Sequence, residues 1–294
     1  MQNIIKTISI EDSKYPKPLK EIKNSPKVIY YIGEIKPKED CFAIVGTRRY
    51  SSYGKQVALE FANDLTEAGL TIVSGLAPGI DTFSHQAVVE RKKRTIAVLG
   101  TGLDEKSIYP KSNLGLAKKI IENNGCLISE YPPETRGTKF TFPQRNRIIS
   151  GLSLGTLVIE AKEKSGALIT ANFAFSQKRK VFAIPGSVYS SNSRGPHILI
   201  KKGAKLAENA DDILKELNLP HPKSGVKKIE GENPEENSIL EILKEEGLDI
   251  DKIIEESGLS AASAVRTLAI LEIKGKVKNL GNNIFCFTKE NLKS

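Results

Sequence analysis

Long apolar runs are missing from this 294-residue sequence. None approaches the roughly 20 residues that a membrane-spanning helix requires. Residues 1–20 carry charges throughout and show no apolar core of an export signal. A soluble, unexported, cytoplasmic protein without a membrane span is expected. Cysteine is scarce: Cys41, Cys126 and Cys286 each sit in a separate apolar stretch. They provide neither a disulfide framework nor a CxxC metal pair, and a reduced compartment suits them. Histidine is equally sparse. His85 falls in a helical pattern, His197 follows Gly195-Pro196 and His221 lies in a polar stretch, so neither a metal-ligand spacing nor a triad order emerges. His85 reads as packed or exposed rather than reactive. The candidate carboxylates, Asp81, Asp104, Glu130 and Glu160, suggest no pair for acid–base work. No metal, no cofactor and no catalytic residue is expected, and no repeat or low-complexity tract is evident.

The length suggests about two domains. Of the net charge of +9, residues 1–218 hold +11 and residues 219–294 hold −2. A basic surplus confined to the larger part makes a polyanion a natural partner, although a lysine-rich solvated surface reads the same way from charge alone.

Between residues 41 and 218, short β-branched runs alternate with longer helical patterns. The strand candidates are 41–46, 70–75, 94–100, 126–130, 154–160 and 180–185. They are continuously apolar, as expected of strands covered on both faces. The clearest helix is 53–68, with Val57, Phe61, Leu65 and Ala68 on one face. Repetition of strand, helix and strand implies an α/β fold with a doubly wound, mostly parallel sheet. Residues 1–40 read as a leader packed on that core, and 219–235, rich in Pro, Gly and charge, as a linker. Residues 236–294 suggest three helices (236–246, 249–256 and 260–273) and a hairpin (276–280 and 283–288), the outline of a winged helix.

In an open parallel sheet, the loops leaving the C-terminal strand ends line the ligand crevice, and the unusual residues of this sequence gather there. Gly46-Thr47-Arg48-Arg49 follows the first core strand, joining close backbone approach and helix-start amides to bidentate donors. A tight turn with a surface Arg is the plainer reading of these four residues alone. Ser74-Gly75 to Gly79-Ile80-Asp81 forms a second glycine turn. It lacks GxGxxG and the later acidic residue, so no dinucleotide fingerprint is present. Asp81 reads first as a loop brace. Residues 136–147 (RGTKFTFPQRNR) interleave Lys139, Arg145 and Arg147 with Phe140 and Phe142, pairing phosphate donors with stacking faces. Phe142-Pro143 directly precedes the expected helix, so one Phe is read as a staple and only one as a platform. Lys164-Ser165-Gly166 opens a further helix, with Thr170 one turn in.

Taken together, VGTRRYSSYG, SGLAPGID, TIAVLGTGLD, FPQRNRIISGLS, VIEAKEKSGALITA and VFAIPG closely resemble the DNA processing protein A (DprA/Smf) family over roughly residues 15–215. The resemblance implies an extended Rossmann-like fold, followed by the winged helix that some members carry. It also implies a non-enzymatic homodimer that binds single-stranded DNA, protects it and loads the RecA recombinase onto it during natural transformation. The contacts implied by the resemblance are Gly46, Thr47, Arg48, Arg49, Lys139, Phe142, Arg145, Asn146, Arg147, Lys164, Ser165 and Gly166; Ser74, Gly75 and Gly79 of the second glycine turn join them as candidate nucleic-acid contacts. Ser84, where members usually have Ala, and the basic run at 178–180 depart from the pattern.

Two other readings remain open. Ser153-Leu154-Gly155-Thr156 followed by Glu160 faintly resembles base-releasing nucleotide hydrolases, but the paired glycines are absent. A winged-helix transcription regulator is the other, yet residues 235–294 total −3 and the expected third helix offers Arg266 as its single cation, too few for strong duplex binding. The tail is therefore expected to work mainly through protein contacts or regulation. Deleting residues 220–294 should lower single-strand affinity less than tenfold in a binding titration; a larger loss would assign the tail a direct part in binding.

Overall fold

The computed structural model describes residues 4–220, 231–243, 247–281 and 283–287. It divides into two compact units, residues 1–222 and 223–294. The first contains β1 (Lys6–Ser9), α1 (Lys17–Lys20), β2 (Val28–Gly33), β3 (Cys41–Val45), α2 (Ser52–Glu67), β4 (Thr71–Ser74), α3 (Ile80–Glu90), β5 (Thr95–Leu99), α4 (Leu114–Glu122) and β6 (Cys126–Ser129). These are followed by α5 (Thr141–Leu152), β7 (Gly155–Val158), α6 (Gly166–Ser176), β8 (Lys180–Ala183), α7 (Arg194–Lys201), β9 (Lys205–Leu206) and α8 (Ala210–Glu216). The sheet order is β1-β2-β6-β5-β4-β3-β7-β8-β9. All neighbours from β6 to β9 are parallel, whereas β1, β2 and β6 pair antiparallel. This is a mostly parallel, Rossmann-like sheet.

Strand alternation divides the apolar residues between two faces. Cys41, Ala43 and Val45 of β3 join a core with Ile148 and Ile149 of α5 and Ala171 of α6. Phe42 and Ile44 point the other way, to Val57 and Phe61 of α2, Ile80 of α3 and Ile213 of α8. Helices lie on opposite faces because the strand order runs outward from β3 in both directions, and a preferred crossover hand then carries them to opposite sides.

The expected core strands are all present but shorter than their apolar runs. The last residues of each run, such as Gly46, Gly75, Gly100, Glu130 and Glu160, already belong to the crevice loops. Residues 6–33, read from sequence only as part of a leader, supply β1, β2 and α1. Leu19, Ile22 and Ile29 of this segment are buried in the core.

The second unit contains α9 (Pro234–Ile242), β10 (Leu248–Asp249), α10 (Ile250–Ser257), α11 (Ala261–Ile273), β11 (Val277–Asn279) and β12 (Ile284–Phe287). It is a winged helix around Leu240, Leu243, Ile253, Leu268, Leu271 and Phe285. Asn233, Asp249 and Ser260 cap its three helices. The expected linker lies outside the described residues from 221 to 230, as do residues 244–246 of the first tail helix, Asn282 at the hairpin tip and residue 288.

No helix among the described residues is long and apolar enough to cross a membrane. Phe42 is fully buried, its ring 5.8 Å from that of Phe182 and against Gly155. Phe42→Ala should cost about 3–5 kcal/mol in urea unfolding of the first unit; an unchanged midpoint would show that this face repacks without loss.

Candidate nucleic-acid interface

The strand order reverses between β3 and its parallel neighbour β7, and at such a switch point the flanking loops diverge to leave a crevice. Here backbone and side chain tie the two loops together. Thr47 N donates to Glu160 O at 2.7 Å. The Glu160 carboxylate accepts from Ser51 N at 3.0 Å and Ser51 Oγ at 2.6 Å. This places a buried anion at the start of α2, where the helix dipole favours it. Gly54 makes room, since a Cβ there would meet that carboxylate at 2.2 Å. The loop after β4 closes against the same turn. Gly79 has φ +86°, and a Cβ on it would meet Thr47 O at 2.4 Å; Ile80 N donates to that same oxygen at 3.3 Å.

These loops and the N-terminal ends of α5 and α6 enclose a cleft of about 590 Å³. Eleven of the sequence-derived candidates line it: Gly46, Thr47, Arg48, Arg49, Lys139, Phe142, Arg145, Asn146, Lys164, Ser165 and Gly166. Arg48, Arg49, Lys139 and Lys164 are exposed. Among the described residues none of them forms an ion pair. Arg48 places its guanidinium 5.9 Å from the Phe142 ring centre. Ser165 caps α6, its Oγ accepting from Ala167 N at 3.3 Å, so the positive end of an eleven-residue helix opens at the cleft wall. Lys162, a fifth exposed and unpaired cation on the lining, was missed. Its signal was the run Lys162-Glu163-Lys164 directly ahead of the Ser165 cap, where Ser165 N donates to Lys162 O at 3.0 Å and both lysines sit in the turn that opens α6.

Four sequence candidates fall outside the cleft lining, and one on it has a different task. Ser74 is buried, its Oγ donating to Ile44 O at 2.6 Å. Gly75 leaves space for Arg145 and Asp81, which a Cβ would meet at 2.6 and 2.7 Å. Gly79 acts on the backbone turn described above. Arg147 donates to Asn24 O and Gln144 O, both at 2.9 Å, and pairs with Glu130 on the far side of α5. The reason is helical phase: α5 begins at Thr141, so residues 142, 145, 146 and 149 share the cleft face and residue 147 turns away. The sequence reading started this helix after Pro143, but a Pro in the first turn removes only an amide that has no helical partner.

Arg145 does reach the cleft floor, yet it is 4% exposed. Its guanidinium donates to Gly75 O at 2.7 Å and to Val98 O, and Nε donates to Asn146 Oδ1 at 3.2 Å. It joins β4, β5 and α5 rather than presenting a free fork. Burial lowers its pKa to about 10 against the opposing pull of Asp81. Asp81, buried beside it, accepts from Gly75 N at 3.0 Å; desolvation raises its carboxyl above the ordinary range while Arg145 opposes the rise. Asp81 is thus a brace. Asn146 Nδ2 donates to Gly166 O at 3.2 Å, linking α5 to the start of α6. Phe142 packs against Gly100 and Gly137, whereas Phe140 is 72% exposed with Lys139 Nζ 5.2 Å from its ring centre.

In the winged helix, Arg266 of α11 pairs with Glu235 at 3.3 Å, while Val265 and Ile273 are exposed on that helix.

Residues 6–218 match the family model described as DNA recombination-mediator protein A, and residues 226–283 match the DprA winged helix domain. The DNA processing protein DprA of Bacillus subtilis (strain 168) is 46% identical over 215 residues, covering 72% of this chain and 71% of the relative. Protein Smf of Escherichia coli (strain K12) is 36% identical over 277 residues, covering 91% and 74%. The X-ray structure of DprA from Streptococcus pneumoniae superposes with a TM-score of 0.68 at 43% identity, covering 72% of this chain and 74% of that one. A Helicobacter pylori DNA processing protein A structure, described for its single-stranded DNA binding mode, gives 0.65 at 30% identity, covering 74% and 97%.

Below the cleft, His85 is fully buried. Its Nδ1 lies 2.8 Å from Thr95 Oγ1, which itself donates to Ile72 O, so Nδ1 is the donor to Thr95. Burial, with Arg145 adding to it, depresses the His85 pKa from 6.5 to about 3. Below about pH 6.5 the unfolded chain binds this proton and the folded one does not. Stability should therefore fall with pH, by up to about 1.4 kcal/mol per unit from this group alone, down toward the folded value. Urea midpoints at pH 7, 6 and 5 should fall less steeply in His85→Asn; parallel slopes would mean that His85 takes up its proton while folded.

Proposed function

The chain belongs to the DNA recombination-mediator protein A family, and on that premise we propose that its cleft holds single-stranded DNA with little regard to sequence. One observation carries the reading: Arg48, Arg49, Lys139, Lys162 and Lys164 converge on a single cleft, none in an ion pair among the described residues, beside the capped start of α6. Folding alone gives no reason to gather five like charges, whereas a phosphate backbone does. The chemistry of the lining favours single strands over a duplex. The lining mixes cations with an aromatic edge and short side chains, a surface that tolerates any base.

The further roles rest on family membership. We infer that the protein shields the strand and transfers it to the RecA recombinase, in keeping with the family's description as a recombination mediator. It acts in the cytoplasm, as a homodimer; sedimentation velocity should give twice the 32.2 kDa chain mass, and a monomer at micromolar concentration would remove that part of the proposal. The protein binds without cutting. Glu160, the residue a base-releasing hydrolase would need, has its oxygens engaged by Ser51, and Asp81 is engaged by Gly75.

With five cations neutralising phosphates at a slope near −0.7 each, raising salt from about 50 to about 200 mM should weaken single-strand binding on the order of 100-fold. Arg48→Ala should reduce the slope of log affinity against log salt by about 0.7, measured by fluorescence anisotropy on oligothymidylate. A flat salt dependence, or release of free base from nucleoside monophosphates, would exclude this function.

A further inference from the structure

The cleft's aromatic edge continues beyond the cleft. Phe142 is only partly exposed, and its ring meets the Arg48 guanidinium at 5.9 Å and the Tyr109 ring at 5.6 Å, the latter tilted by 47°. Gly100 and Gly137 close on its edge so tightly that a Cβ on either would overlap the ring, at 2.9 and 2.4 Å. Little of Phe142 is left flat and open. Tyr109, next in line, keeps 50% of its surface exposed.

Tyr109 stands on a braced loop. Asp104 accepts from Ser107 N at 3.1 Å, Ser107 Oγ at 2.8 Å and Glu134 N at 2.6 Å. Gly102 N donates to Thr135 O at 2.8 Å, and Lys111 Nζ donates to the carbonyls of Glu105 and Lys106 at 2.6 and 2.7 Å. An exposed apolar ring on a rigid loop, adjoining a cationic cleft, loses little entropy when a flat ligand covers it. The separations from guanidinium to Phe142 to Tyr109 are those of a side-by-side aromatic row.

We propose that Tyr109 is a base-stacking platform, one step outside the cleft, that lengthens the single-strand site beyond Phe142. The ligand is a nucleobase of a strand whose phosphates are already held by the cleft cations, so the inference rests on the binding function proposed above. No hydrogen bond to the base is required, and the platform accepts any base through its π-face.

Oligothymidylates of 3, 6 and 12 nucleotides test this by anisotropy. Tyr109→Ala should weaken the 12-mer fivefold or more and the 3-mer less than twofold, while Tyr109→Phe stays within twofold of wild type at every length. The chain has no tryptophan, so Tyr109→Trp places a single indole at the platform, and its fluorescence should be quenched by the 12-mer far more than by the 3-mer. Equal affinities of Tyr109→Ala and wild type at all lengths would overturn the platform, as would equal losses at all lengths, which would make Tyr109 a support for Phe142 alone. Arg48→Ala separates the two proposals: if it weakens every length while Tyr109→Ala weakens none, only the platform fails, and if it weakens none, the cleft function fails as well.

Discussion

Two loops that leave neighbouring strands in divergent directions are held together by Glu160. Its carbonyl takes the Thr47 amide and its carboxylate takes both Ser51 groups. Arg48 and Arg49 lie in the span between those anchors. Without this tie, mutual repulsion among the lysines and arginines of the cleft would favour splaying the loops apart. A carboxylate buried at the start of α2 counters that tendency through hydrogen bonds and the helix dipole, without presenting a negative charge on the cleft lining.

A second layer of polar contacts lies beneath. Arg145 binds the carbonyls of Gly75, in the loop after β4, and Val98 of β5, and a side chain of its own helix, with Asp81 and the neutral His85 close behind. A buried guanidinium is costly unless its donors are satisfied, and here they are shared among elements whose relative positions determine the width of the cleft. The floor is therefore polar but committed, and the rim carries cations that, among the described residues, form no ion pair. Such a division lets an anion meet side chains that, among the described residues, are paired with no carboxylate, while the scaffold below keeps its own bonds.

Much of this was readable from the residues. The strands β3 to β8 stood out because burial on both faces makes them continuously apolar, and the turns that follow them carry glycine and cations in a pattern few other demands produce. β1 and β2 were not legible as strands: β1 (KTIS) carries a single buried residue, β2 (VIYYIG), though the longest strand of the sheet, alternates buried residues with part-exposed tyrosines, and antiparallel edge pairing leaves no crossover helix to mark either. The contribution of Arg147 was misjudged for a different reason. Composition lists cations, but only the phase of α5, set by its start at Thr141, decides which of them face the cleft. Lys162 is not singled out by sequence because a lysine in a charged loop looks like ordinary solvated surface until the fold brings it onto the same cleft lining as Arg48. In the tail, Arg266 was legible as a lone cation, whereas its pairing with Glu235 depends on the approach of α9 to α11.

The two outermost strands of the large sheet, β1 and β9, are four and two residues long, and each begins with a lysine. Brief, charged margins of this kind offer almost no template for another chain to extend the sheet. Copies crowded side by side on one long polymer could therefore approach closely without zipping into fibrils, so dense coating of a thread and colloidal stability are compatible in the same molecule.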